Sequence, residues 1–253
     1  MELLGKDFLE ISLSIALCLA LTLIAYWKGI LDIKGSLSAY FIGIIIALFQ
    51  SIFWLAMLLA FLVTSFIATR YEFDYKMKRD VQEGVKGRRG IGSVFANGII
   101  PTFIAFISFF DTPYFQKEIS GVVFLSAIAV ATADTFASEI GVLSENAYLI
   151  INLKKRVKPG TNGGVSVLGT VSAFLGSLFV ASVGWAFLYS TGTLPHNVLF
   201  AMLPLGIGFL GCQIDSILGA TLEDRGYLTK NTVNLVSIAL GSALAWVILW
   251  VVI

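Results

Sequence analysis

Long apolar runs, broken by short polar stretches, organise this chain. A helix needs about 20 apolar residues to cross the ~30 Å hydrocarbon layer of a bilayer. Eight runs meet or approach that length: about 8–27, 36–50, 51–69, 92–110, 119–143, 163–190, 197–222 and 232–253. Residues 36–69 form one nearly unbroken run. As a single helix it would extend about 51 Å, too long to cross once. A tight hairpin near Gln50–Ser51 divides it more simply. The pattern predicts an all-α, polytopic transmembrane bundle of about eight spans, with residues 1–253 forming a single transmembrane domain.

Composition strengthens that reading. The chain is 57% hydrophobic and only 13% charged, with a mean hydropathy of +0.89, whereas a soluble domain carries about 25% charge. The lipid bilayer is its first partner, and no nucleic acid is expected. Cys18 and Cys212 both lie in apolar runs and have no metal spacing. The single histidine, His196, reads as a loop residue and cannot build a zinc site alone. The run from Phe8 is too long for a cleaved leader and lacks a basic start, so it reads as a retained anchor.

Charge fixes an orientation. Fifteen Lys and Arg residues fall in the loops after the first, third, fifth and seventh spans, against Lys6 and Lys117 on the other side. Basic loops stay in the cytoplasm. The loops at about 70–91, 144–162 and 223–231 are therefore expected to be cytoplasmic, and both termini outside.

Four polar stretches interrupt the apolar background: GRRGIGSVFANG (87–98), ATADTFASEIG (131–141), PGTNGGVSVLGT (159–170) and GCQIDSILGATLEDRG (211–226). All four converge on the cytoplasmic half, which suggests a site open to the cytosol. Asp134 lies about 15 Å from the end of its helix and Asp215 about 12 Å, at 1.5 Å per residue. At these similar depths they can face each other. Gly211, Asp215, Gly219 and Glu223 recur every four residues, so they share one stripe. Asp134 shares a face with Ser138, and Thr135 with Glu139.

Carboxylates in hydrocarbon are costly and usually functional. Near a helix C-terminus the dipole adds about 0.3–1 kcal/mol against them. No Lys or Arg lies inside the fifth or seventh span, so a divalent cation is a natural compensating charge. Asp134 and Asp215 are the candidate ligands, and such hard oxygen donors suit Mg²⁺. The alternative is that the acids are protonated or paired with loop arginines. Thr161 or Asn162 is placed to cap the sixth span. Thr161, Asn162, Gly163 and Gly164, with Asn97, Arg88 and Arg89 at the fourth span, are candidate phosphate binders at helix N-termini. The order of a Walker P-loop is missing. Carboxylates for a metal and amides or basic groups for phosphates are the recurring parts of phosphoryl-transfer sites.

In order along the chain, GRRG…ANG, ATADTFASEIG, GTNGGVSVLGT and GCQIDSILGATLED resemble an integral-membrane family that includes the plant phytyl-phosphate kinase. The resemblance covers about residues 70–230. It implies transfer of a second phosphate to a prenyl monophosphate from a nucleoside triphosphate, expected to be CTP. It marks Asp134, Glu139, Asn162, Asp215 and Glu223 as functional. Two other readings stay open. One is a CTP-dependent lipid-phosphate cytidylyltransferase, and the other an ion or lipid transporter that uses the acids as its ion site.

Overall fold

A computed structural model describes residues 8–84, 87–110, 116–190 and 198–252. His196 and Lys6 lie outside the described residues. The helices are α1 (Phe8–Trp27), α2 (Ile33–Phe49), α3 (Ile52–Arg70), α4 (Phe73–Lys78), α5 (Ile91–Ser108), α6 (Lys117–Gly141), α7 (Val167–Ser190), α8 (Val198–Leu218) and α9 (Lys230–Val252). Among the described residues, seven are long and apolar enough to cross a membrane, and α2 is a shorter apolar helix. The chain is a polytopic helical membrane bundle of about eight spans.

The long apolar run breaks where the hairpin was expected. Gln50 and Ser51 are both extended and separate α2 from α3. Gln50 Nε2 donates to Ala105 O at 2.9 Å and to Ser108 Oγ at 2.8 Å, fastening the hairpin to α5.

Lipid tails are as apolar as leucine, so helices in a bilayer associate through close packing rather than water exclusion. Small residues provide it here. Helix α6 is the axis, with most of its residues buried, and α3, α5, α7, α8 and α9 all pack on it. A Cβ at Gly211 would lie 2.4 Å from Val130 Cγ2, and one at Gly176 would lie 3.1 Å from Thr132 O. Helix α8 thus approaches α6 more closely at Gly211 than a Cβ would permit without a shift of Val130, and α7 packs nearly as closely at Gly176.

Three features depart from the sequence reading. The loop at 144–162 belongs to a three-stranded antiparallel sheet of β1 (Ala147–Leu149), β2 (Asn152–Val157) and β3 (Gly164–Val165), in the order β2-β1-β3. Helix α7 therefore starts at Val167 rather than at 163, because 164–165 are held in the sheet. The loop after α3 carries α4, and α8 ends in a π turn, Gly219–Glu223. The helices alternate in direction. The α1–α2 turn, α4, the sheet and the π turn gather at one end, opposite the start of α1 and the end of α9.

Candidate functional site

At the looped end, the C-terminal turns of α6 and α8 meet the N-terminal turns of α7 and α9. They enclose a cavity of about 320 Å³, walled by residues 80–83 and 159–166. Asp134 from α6 and Asp215 from α8 both face it, within hydrogen-bonding reach of each other. Helix α9 orients both carboxyls. Asn234 Nδ2 donates to Asp134 Oδ2 at 3.2 Å, and Ser237 Oγ donates to Asp215 Oδ2 at 2.9 Å.

One turn before Asn234, Lys230 pairs with Glu83, a carboxyl only 23% exposed. The Lys230 charge also acts on Asp134 and Asp215. Burial alone would push the Glu83 carboxyl up. The charges of Lys230, Arg89 and Lys76, with the Lys230 hydrogen bond, outweigh it and hold Glu83 below the ordinary carboxylate range. Glu223 lines the cavity from the π turn. Such turns interrupt helices frequently at functional sites.

Two carboxyls this close cannot both carry full charge unless a proton or a cation lies between them. The donor set suits Mg²⁺, which takes one or two carboxylates and leaves its other positions to water and phosphate oxygens. Among the described residues no group of three or more acidic, His or Cys side chains is placed to hold a metal ion. Such a cation would thus rely on Asp134 and Asp215, completed by neutral donors or by substrate.

Glu139, expected among the functional acids, is paired with a lysine. Its Oε2 accepts from Lys76 Nζ at 2.7 Å and its Oε1 from Thr69 Oγ1 at 2.8 Å. The pair is buried, and it ties α4 to α6. A lysine reaching in from α4 compensates this acid.

The glycine-rich loop lines the cavity through Thr161, Asn162, Gly163 and Gly164, but it does not cap α7. Ser166 caps it, accepting from Gly169 N at 3.0 Å. Gly164 N–H is taken by Thr161 O at 2.8 Å. Gly163 has φ +68, and a Cβ there would sit 2.6 Å from Ser216 O. Its role is to let the loop press against α8.

Arg88, Arg89 and Asn97 do not line this cavity. Residues 87–90 run beside the α1–α2 turn, with Arg89 N–H donating to Ile30 O and Asp32 N–H to Arg89 O, both at 3.0 Å. The Arg88 guanidinium lies against Gly29. Arg89 and Asn97 instead border a second, apolar cavity among α1, α2, α3 and α5.

Sequence reasoning missed Lys76, Glu83, Lys230, Asn234 and Ser237. The last three left a signal, because Lys230, Asn234 and Ser237 fall at i, i+4 and i+7 and make a polar stripe at the head of an apolar helix. Lys76 and Glu83 left none, since nothing local distinguishes them from other loop charges.

Comparison with known proteins gives the chain its relatives. An uncharacterised membrane protein of Methanocaldococcus jannaschii is 28% identical over 236 residues, 93% of each chain. Chloroplastic protein VTE6 of Arabidopsis thaliana is 31% identical over 190 residues, 74% of this chain and 55% of that protein. Protein PGR of the same plant is 30% identical over 220 residues, 80% of this chain and 75% of its own. No solved structure matches. The DUF92 family of integral membrane proteins matches over residues 16–242, and the chain belongs to that family.

Proposed function

We propose that this chain is a membrane-embedded prenyl-phosphate kinase. It would move a phosphoryl group from a nucleoside triphosphate, CTP by the family resemblance, to a polyprenyl or phytyl-type monophosphate with Mg²⁺, at a site facing the cytoplasm. The observation that carries the reading is the meeting of Asp134 and Asp215 in one polar cavity beside Lys230, sunk into one end of an apolar bundle. The motif resemblance to a family containing a phytyl-phosphate kinase supports the substrate class.

The chemistry asks little covalent help from the protein. A phosphate oxygen of the acceptor attacks the γ-phosphorus, the bond to the β–γ bridging oxygen breaks, and a nucleoside diphosphate leaves. The acceptor is already an anion, so no strong general base is required, in keeping with an intramembrane region that lacks histidine. Bound Mg²⁺ neutralises charge that spreads over the transferring group. Asp134 and Asp215 would hold that ion, with Asn234 and Ser237 fixing their orientation. Lys230, half exposed to the cavity, would attract the triphosphate. Asn162 and the α7 N-terminus border the space a phosphate would fill.

The test is product analysis with detergent-purified protein, Mg²⁺, CTP and geranylgeranyl monophosphate. Nucleoside diphosphate and geranylgeranyl diphosphate are expected. Asp134→Asn and Asp215→Asn should each lower turnover at least 100-fold while thermal unfolding stays within a few degrees. Pyrophosphate release would replace this reading with nucleotidyl transfer. Ion or lipid flux in proteoliposomes, with no nucleotide consumed, would replace it with transport.

A further inference from the structure

The second cavity has the make-up of an amphiphile's berth. It lies among α1, α2, α3 and α5, with a volume of about 90 Å³. Its body is apolar, formed by residues such as Leu21, Ala39, Ile42, Leu58 and Leu59. Leu21, Leu58 and Leu59 are only half-buried, so the gap between α1 and α3 opens towards lipid. Its polar end holds Arg89 and Asn97, 7% and 4% exposed. Arg89 Nε and Asn97 Oδ1 are buried with no hydrogen-bond partner. An unpaired buried polar atom costs about 1–3 kcal/mol, so a donor and an acceptor left together facing one cavity call for a ligand that offers both. Asn97 Nδ2 is already committed to Ser93 O at 2.8 Å, which fixes the orientation of the amide.

Arg89 lines the apolar cavity and not the polar one. On the apolar side its guanidinium lies 6.0 Å from the Phe61 ring centre. A phosphate resting on Arg89 would have its hydrocarbon in the apolar cavity.

We infer that the cavity among α1, α2, α3 and α5 receives the start of the first isoprenoid unit of a prenyl monophosphate, with its phosphate on Arg89 and Asn97. The inference rests on the prenyl-phosphate reading above. A monoanionic phosphate monoester matches the unpaired atoms: its ionised oxygens accept from Arg89 Nε, and its remaining P–OH donates to Asn97 Oδ1. At roughly 20–30 Å³ for each buried carbon, on the scale of a 150 Å³ cavity that binds benzene, the cavity of about 90 Å³ holds roughly three to four carbons, part of one five-carbon unit. The rest of the tail leaves between α1 and α3 into the bilayer. Chain length beyond the first unit is therefore weakly selected.

The test uses the whole protein in nanodiscs with a geranylgeranyl monophosphate carrying a diazirine near its phosphate end, and a diazirine phosphatidylcholine as the bulk-lipid control. Cross-links on α1, α2, α3 or α5 are expected, absent with the control. They should be competed by geranylgeranyl monophosphate and at least tenfold less well by geranylgeraniol or inorganic phosphate. Ala39→Phe, which fills the cavity, and Arg89→Gln should each weaken geranylgeranyl monophosphate binding at least tenfold, whereas Asp215→Asn should leave it within threefold. Cross-links confined to α7, α8 and α9, a pattern identical to the control, no binding at all, or unchanged affinity in both variants would overturn the inference. If the wild type binds and cross-links as expected but consumes no nucleotide, the kinase reading fails and the cavity assignment stands. If it turns over substrate while cross-linking elsewhere, the reverse holds.

Discussion

Lys76 is wholly buried, and its ammonium donates to Ala68 O at 2.8 Å, Thr69 O at 3.1 Å and Glu139 Oε2 at 2.7 Å. All three donors of the group are satisfied, two of them by carbonyls at the negative end of α3. Removing one partner of such a pair strands the other charge. Lys76→Met should therefore destabilise the folded protein by about 3–5 kcal/mol. Adding Glu139→Leu should recover most of that loss, because apolar replacement of a whole buried pair is often neutral. Denaturation in mild detergent measures both, and equal losses in the single and double variants would contradict the pairing. The Glu83–Lys230 pair differs in being partly exposed and pH-dependent. The folded Glu83 carboxyl titrates below the ordinary value of 4.5. Its contribution is therefore fully present above about pH 4.5 and disappears as pH falls through the lower, folded value. The difference in unfolding temperature between wild type and Glu83→Gln should stay constant from pH 8 to pH 5 and shrink below 4.5. A difference that instead grows on acidification would show that Glu83 is not held ionised by Lys230.

Among the elements, the spans were legible and the connections were not. Hydropathy is a linear property of sequence, and the Gln50–Ser51 break follows from bilayer thickness alone. Strand β2, Asn-Leu-Lys-Lys-Arg-Val, is exposed along nearly its whole length. With no buried face it has no two-residue periodicity to read. The same sheet moved the start of α7, since Thr161, Asn162 and Ser166 are all acceptable caps and only the strand pairing of Gly164 and Val165 selects the last. Asp134 and Asp215 were readable as partners by depth. The partner of Glu139 was not, because Lys76 lies 63 residues away in a loop. The cap carries its own prediction. Ser166→Ala should cost about 0.5–2 kcal/mol, and Ser166→Asp should retain most of the stability. Thr161→Ala should change stability by less than about 0.5 kcal/mol, as is usual for exposed positions. Equilibrium unfolding of the three variants decides it, and a larger loss at Thr161 would restore the original assignment.

At the scale of the molecule, the proposed cytoplasmic orientation rests on one polar end and one apolar end. The cavity lies at the end that carries the β2 basic run, Arg70, Arg79 and Lys230, while the α2–α3 hairpin lies at the other. Basic residues near span ends remain on the cytoplasmic side, so a phosphoryl-transfer cavity there would meet cytosolic nucleotide directly. The chain suits a direct test, because its two cysteines, Cys18 and Cys212, are buried and should react slowly. Lys155 in β2 and Ser51 at the hairpin are exposed, and Ser51 makes no capping hydrogen bond that cysteine would remove. Lys155→Cys should label with a membrane-impermeant maleimide only in inside-out vesicles, and Ser51→Cys only in right-side-out ones. The reverse pattern would turn the cavity to the outside, away from nucleoside triphosphates, and would count against a kinase more heavily than the loss of any single side chain. Labelling of both sites from one side would instead break the alternation of the helices, on which the pairing of α6 with α8 and of α7 with α9 around the two carboxyls depends.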